Sequence, residues 1–166
     1  GVNWLTLYAF STENWKRSPE EVLGLMGIFA RYIRREADAM AAEGVRLRFI
    51  GGRARLDDKL QSLMSGIEAR TAANTRLNLT VAINYGGRDE LARAAARLAT
   101  RIASGEIVQP TEADLAACLD TAGHPDPVLH GLCYPSQMYV PRDNLVGGTG
   151  NADDGPLEIL VRQAHG

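Results

Sequence analysis

The sequence has too few cysteines, too little excess charge of either sign and too short apolar runs for several classes of protein. Its two cysteines, Cys118 and Cys133, cannot build the disulfide framework of a small secreted domain. No apolar run approaches the roughly eighteen residues of a membrane span, and the first residues lack the pattern of a signal peptide. The formal net charge is −2, whereas a sequence-general nucleic-acid binder is expected to be basic. We therefore predict a cytoplasmic protein that does not bind nucleic acid.

What is present is a regular alternation of strand-like and helix-like segments. The 166 residues, 45% hydrophobic and 23% charged, fit a single core. The predicted strands are residues 2–10, 45–51 and 77–84, and the predicted helices are residues 18–44, 57–73, 89–103 and 111–120. This order predicts an α/β fold with a mostly parallel sheet flanked by helices. The first strand carries no charge, which predicts burial on both faces.

The composition changes after Pro127. Residues 128–166 are rich in glycine and proline, and only residues 157–161 resemble a strand. We therefore predict one domain over residues 1–127 and an irregular tail over residues 128–166. The cysteines and histidines near this boundary lack the paired spacing of zinc ligands, so no metal ligand is predicted among them. They are Cys118, His124, His130 and Cys133.

Two polar segments each leave a predicted strand and enter a predicted helix, residues 11–17 (STENWKR) and residues 84–88 (NYGGR). Because the carboxyl ends of parallel strands meet at one edge, both should lie on the same rim, where ligands gather. Ser11 and Asn14 beside Arg17, next to the positive end of a helix, suit an anion such as phosphate. The alternative is that Ser11 and Asn14 form local turn hydrogen bonds. The paired glycines of the second segment either admit a ligand or simply satisfy a turn.

Three sequence runs carry a family resemblance. They are YAFSTENWKRSPEEV at residues 8–22, RLRFIGG at residues 46–52 and LNLTVAINYGGRDEL at residues 77–91. Together they closely resemble the cis-prenyltransferase family, the undecaprenyl diphosphate synthase type of isoprenyl transferase. The resemblance covers residues 1–127 and implies that family's α/β fold, incomplete at both ends. It also implies an enzyme that condenses isopentenyl diphosphate with an allylic diphosphate to form a cis-polyprenyl diphosphate.

The same resemblance implies roles for individual residues. Ser11 and Asn14 would contact the diphosphates and assist proton removal, as catalytic residues. The implied substrate-binding residues are Trp15, Arg17, Glu21 and Arg88. The residues matching the family's tunnel for the growing chain are Ala9, Ile28, Leu77 and Val81. Each tunnel residue would serve equally well as ordinary core.

The resemblance further implies cofactors and partners. The family uses Mg²⁺, and its usual aspartate ligand lies in an Asp-Gly-Asn-Gly-Arg-Trp segment that is absent from this chain. The family's carboxyl-terminal arginine, Ser-Gly-Glu and Ser-Asn-Phe motif is also absent after Pro127, as a frame change or a truncated gene would produce. The implied partners are the two diphosphates, a second copy in a homodimer, and the membrane through the lipid product. Without the first family strand, the sheet is expected to have an uncovered edge.

Two other functions remain open from the residues alone. A non-catalytic partner subunit would co-purify with an active prenyltransferase. A general phosphate-binding α/β domain would bind inorganic phosphate without preferring prenylated diphosphates. Elongation of a labelled substrate discriminates both from the transferase.

Overall fold

A computed structural model describes residues 2–125, which contain three strands and four α-helices. They are β1 (Trp4–Ser11), α1 (Pro19–Ala42), β2 (Val45–Ile50), α2 (Asp58–Thr71), β3 (Leu77–Tyr85), α3 (Gly87–Ala103) and α4 (Glu112–Ala117). The strands are parallel in the order β1-β3-β2. Helices flank this sheet, which confirms the predicted α/β fold. The predicted tail, with its strand at residues 157–161, lies outside the described residues, and the domain boundary stays a prediction.

The first helix begins where the sequence places it. The Ser18 hydroxyl accepts a hydrogen bond from the Glu21 amide, and the Glu21 carboxylate accepts one from the Ser18 amide. Pro19 occupies the first helical position, where its missing N–H does no harm. The helix ends just before Gly44, whose φ of +76° suits glycine. None of the helices within residues 2–125, including this one of 24 residues, is long and apolar enough to cross a membrane.

One face of the sheet packs against α1 and α2. Alternate residues of β3 are buried on this face, and they are Leu77, Leu79, Val81 and Ile83. The helices contribute Val22, Ile33, Ala37, Met40, Leu60, Met64 and Ile67 to the same core. Each of these valine, leucine, isoleucine and methionine side chains stabilises the fold by about 1.5–3 kcal/mol relative to an exposed one. The opposite face of β3 presents Thr80 and Ala82, which are also buried, and Ala94 of α3 is fully buried outside the core formed with α1 and α2.

The first strand is less buried than predicted, and the expectation of burial on both faces is wrong. Leu7 and Phe10 are buried, but Trp4 is 41% exposed and Thr6 is exposed as well. Within residues 2–125, the face of β1 that carries Trp4 and Thr6 is covered only in part. The ring of His124 lies 5.1 Å from that of Trp4. Aromatic and β-branched residues favour a strand whether or not both faces are covered.

The other edge of the described sheet, β2, has alternate backbone amides bound by side chains. Its N–H groups donate from Leu47 to Thr71 (3.0 Å), from Phe49 to Glu68 (2.8 Å), and, just beyond the strand, from Gly51 to Asp120 (3.1 Å). These acceptors come from α2 and from the segment after α4. The donors along this edge are therefore satisfied without a further strand.

Candidate active site at the carboxyl edge of the sheet

The two polar segments predicted to share a rim lie side by side. Ser11 at the end of β1 is in register with Tyr85 at the end of β3. The hydroxyl of Tyr8 donates a hydrogen bond of 2.6 Å to the carbonyl of Tyr85. A side chain on Gly86 would begin 2.5 Å from the hydroxyl oxygen of Thr12, so the segments approach closely because residue 86 is glycine. We call this edge, residues 11–17 and 84–88, the rim.

Trp15 joins the two segments directly. Its indole Nε1–H donates a 2.6 Å hydrogen bond to the side-chain oxygen of Asn84. Its ring meets Phe10 edge to face, with 5.2 Å between ring centroids. The guanidinium of Arg55 lies 4.2 Å from the centre of the same indole, a favourable cation–π arrangement. Arg55 belongs to a 3-10 turn, Arg53–Arg55, that follows β2, so a third strand end contributes to the site.

Asn84 holds that third turn in place. It is 5% exposed, and its side-chain amide donates a 2.5 Å hydrogen bond to the carbonyl of Gly52. The amide of Gly52 donates to the carbonyl of Asn84 at 3.0 Å. Asn84 has φ +49°, a conformation that asparagine tolerates better than most residues. The sequence interpretation placed Asn84 in a rim segment without giving it a role, and it missed the turn at Gly52; the paired glycines after β2 are the signal that could have found this turn.

Ser11 and Asn14 form the local hydrogen bonds of the turn interpretation. The side-chain oxygen of Asn14 accepts from the Ser11 amide at 2.7 Å, and the Ser11 hydroxyl oxygen accepts from the Glu13 amide at 3.2 Å. Both residues are half-buried. These bonds occupy acceptor atoms, and within residues 2–125 the Asn14 amide and the Ser11 hydroxyl donate to no protein group. Their donors therefore suit the oxygens of an anion.

The predicted charged site residues differ in whether the protein already binds them. Arg17 and Arg88 are exposed, and neither forms an ion pair with another residue in the described range. Arg88 lies in the first turn of α3, where the helix dipole also favours negative charge. Glu21, by contrast, is engaged in capping α1. The rim thus offers three cationic side chains, with Lys16 beside Arg17 and Arg88. Glu21 acts on the helix that follows.

The four predicted tunnel residues are not brought together as a group. Val81 is 2% exposed in the centre of β3, and Ala9 packs against the same core from β1. Leu77 is buried at the amino end of β3, away from the rim. Ile28 is 60% exposed on α1. The tunnel lining therefore stays a prediction.

An open cleft of about 660 Å³ lies beside the turn after β2, and none of the predicted site residues lines it. Four arginines line it; carboxylates bind three of them, and Arg48 donates to the backbone carbonyls of Asp120 and Ala122. Arg93 and Arg97 donate to Asp120, and Arg53 pairs with Glu68 at 2.7 Å. Burial opposes ionisation of Asp120, but the hydrogen bonds from Arg93 and Arg97 outweigh it and lower its pKa. The two lining carboxylates, Glu68 and Asp120, thus offset part of the positive charge of the cleft.

A buried carboxylate connects the rim to Asp120, which binds Arg93 and Arg97 in the cleft. Glu90 is 5% exposed and accepts hydrogen bonds from the Tyr85 hydroxyl at 2.5 Å and from the Asp120 amide at 2.8 Å. Burial and the bond to Glu90 raise the pKa of Tyr85 well above its ordinary value. Tyr85 therefore stays protonated and serves as a hydrogen-bond donor.

The described residues do not form a magnesium site. No group of three or more His, Cys, Asp or Glu side chains converges within residues 2–125. Mg²⁺ prefers an octahedron of oxygens that includes one or two carboxylates. The rim residues include one carboxylate, that of the exposed Glu13, and otherwise supply amides, hydroxyls and cations.

The fold and the rim define a class: a parallel α/β protein with an anion-suited edge at the carboxyl ends of its strands. Residues 1–130 match the family described as "Putative undecaprenyl diphosphate synthase". The chain belongs to this family of prenyltransferases, which confirms the resemblance found in its motifs.

Curated relatives agree with this assignment. The chain is 44% identical to an isoprenyl transferase of Agrobacterium fabrum over 131 residues, which are 78% of this chain and 53% of that protein. It is 47% identical over 116 residues to the ditrans,polycis-undecaprenyl-diphosphate synthase ((2E,6E)-farnesyl-diphosphate specific) of Xanthomonas axonopodis pv. citri, covering 70% of this chain and 45% of that one. The chain spans about half the length of the curated relatives it matches.

Solved structures show the same fold. A "probable undecaprenyl diphosphate synthase" from Campylobacter jejuni aligns with a TM-score of 0.64 at 34% identity, covering 72% of this chain and 56% of that one. Lavandulyl diphosphate synthase from Lavandula x intermedia, solved with dimethylallyl diphosphate, aligns with a TM-score of 0.69 at 29% identity, covering 72% and 52%.

Proposed function

We propose that this chain acts as a cis-prenyltransferase, condensing isopentenyl diphosphate with an allylic diphosphate. The observation that carries the proposal is the meeting of Ser11, Asn14 and Trp15 with the end of β3 at one edge of the sheet. There, unused hydrogen-bond donors adjoin a strand end that leads into the helix bearing Arg88. The names of the relatives, isoprenyl transferase and undecaprenyl-diphosphate synthase, support the same reaction.

The chemistry suits such a rim. The allylic C–O bond breaks, the diphosphate leaves with its electron pair, and the double bond of isopentenyl diphosphate forms a C–C bond to the allylic carbon. A proton then leaves to give the new double bond. Donors and cations placed around the departing diphosphate stabilise the charge that develops on it. We assign the Asn14 amide and the Ser11 hydroxyl to this task and Arg17 and Arg88 to substrate orientation.

The remaining parts of the proposal concern product and partners. A polyprenyl chain extending past Ala9 and Val81 would gain roughly 0.8 kcal/mol for each buried CH₂. The homodimer, the contact with a membrane through the lipid product and the magnesium requirement stay predictions.

The test is incubation of the folded chain with farnesyl diphosphate, labelled isopentenyl diphosphate and magnesium. We expect elongated products, and we expect Asn14→Ala to lower kcat/KM by about tenfold to a hundredfold. Its melting temperature should fall only slightly, since one local hydrogen bond to the Ser11 amide is lost.

The matched control is Asn74→Ala. Asn74 also bonds the backbone, donating to the carbonyls of Ala41 and Val45, but at the amino end of the sheet. This variant should lose stability while keeping kcat/KM. A folded wild-type chain that gives no elongated product would contradict the proposal. Binding of inorganic phosphate without preference for prenylated diphosphates would favour a general phosphate-binding domain instead.

A further inference from the structure

Asn84 connects all three strand ends of the described sheet. It is the penultimate residue of β3, its side-chain oxygen accepts from Trp15 after β1, and its side-chain nitrogen donates to Gly52 after β2. A second bond, from the Gly52 amide to the Asn84 carbonyl, fixes the same pair of turns. Both ends of one short side chain are therefore used, at 2.6 Å and 2.5 Å.

The hydrogen bonds and backbone conformation at position 84 limit which amino acids can replace asparagine there. The side chain must accept from the indole and donate to a carbonyl at the same time, which the carboxamide does and a carboxylate cannot. The backbone must also adopt φ +49° while the residue is 5% exposed. Residues held in this conformation by their surroundings are concentrated at functional sites.

We propose that Asn84 is a positioning residue that acts through Trp15. By holding the indole, it fixes the turn that carries Ser11 and Asn14 against the turn at Gly52, so that the diphosphate-binding donors are in place before substrate arrives. This inference rests on the proposed function. Asn84 itself is assigned no contact with substrate.

The indole of Trp15 provides a direct readout. The chain has two tryptophans, so Trp4→Phe leaves a single indole N–H resonance. In this background, Asn84→Gly removes both side-chain bonds and keeps the backbone conformation, since glycine adopts positive φ freely. We expect the indole resonance to shift and to lose protection from hydrogen exchange. We expect kcat/KM to fall about tenfold or more.

Two further variants separate positioning from general stability. Asn74→Gly removes two comparable hydrogen bonds at the other end of the sheet, and it should leave both the indole resonance and kcat/KM in place. Asn84→Asp keeps the acceptor for Trp15 and loses the donor to Gly52. It should preserve the indole resonance better than Asn84→Gly does.

A double variant tests whether Asn84 acts through Trp15. If Asn84 acts through Trp15, then Asn84→Gly combined with Trp15→Phe should be no worse in kcat/KM than the more damaged single variant. Additive losses would overturn the proposal, as would an indole resonance that Asn84→Gly leaves unchanged. A wild-type chain that makes no product overturns the proposed function instead. The indole resonance still reports on Asn84 in that case, so the two failures are distinguishable.

Discussion

At the scale of single residues, Thr71 illustrates how one buried hydroxyl serves two elements. It is 0% exposed, donates to the Ile67 carbonyl within α2 and accepts from the Leu47 amide of β2. Thr71→Val keeps the shape and leaves the Leu47 amide buried without that acceptor. We expect the free energy of unfolding, measured in urea, to fall by about 1–3 kcal/mol.

The matched control is Thr100→Val. Thr100 makes the same bond to a carbonyl one helical turn earlier, that of Ala96, but it is exposed and accepts from no strand. Its stability should change by less than about 0.5 kcal/mol. Equal losses in the two variants would show that the strand amide is not the source of the effect.

The sequence predicted residue-level features only where the partners are close in the chain. The pairing of Ser18 with Glu21 spans three positions and follows from a known capping pattern. The bond from Trp15 to Asn84 joins residues 69 positions apart. Such a bond depends on which strands become neighbours, so a local sequence pattern cannot predict it. The segments of the site were therefore predicted, but the link between them was not.

At the scale of elements, the start of α1 offers a simple test. Ser18→Ala removes the acceptor for the Glu21 amide, and we expect a loss of about 1 kcal/mol in the free energy of unfolding. Ser62→Ala, at an exposed interior position of α2, should cause no loss, because alanine is the better helix former. Circular dichroism during urea unfolding measures both. A loss from Ser62→Ala as large as that from Ser18→Ala would contradict this account of the cap.

Element order and type were predictable because periodicity and caps are local properties. The covering of an element was not. The uncharged first strand has the composition of a buried one, yet Trp4 and Thr6 are exposed because the described residues cover their face of the sheet only in part. Burial depends on neighbours that the strand's own residues do not specify.

At the scale of the whole molecule, stability should depend on pH through His124. Burial, and secondly the charge of Arg48, lower its pKa in the folded state. Unfolding restores an ordinary pKa of about 6.5, so the unfolded chain binds more protons below that value. Neutral His124 therefore adds fully to the free energy of unfolding above about pH 6.5, and this stabilisation is lost as the pH falls toward the folded pKa.

Melting temperatures from pH 7.5 to 5.5 check this expectation. The wild-type midpoint should fall with pH, and His124→Gln should show a shallower fall over the same range. Arg48→Gln, which removes the neighbouring positive charge, should also reduce the slope. Parallel curves for wild type and His124→Gln would assign the pH dependence to other groups.

The two outer strands of the described sheet differ in what they offer to another chain. Alternate backbone amides of β2 already donate to the side chains of Thr71 and Glu68. A strand added at this edge would have to break these hydrogen bonds. Within residues 2–125, β1 has a strand neighbour on one side alone. Among the described residues, side chains therefore hinder backbone pairing with another chain at β2, whereas along β1 only the last amide, that of Ser11, is bound by a side chain.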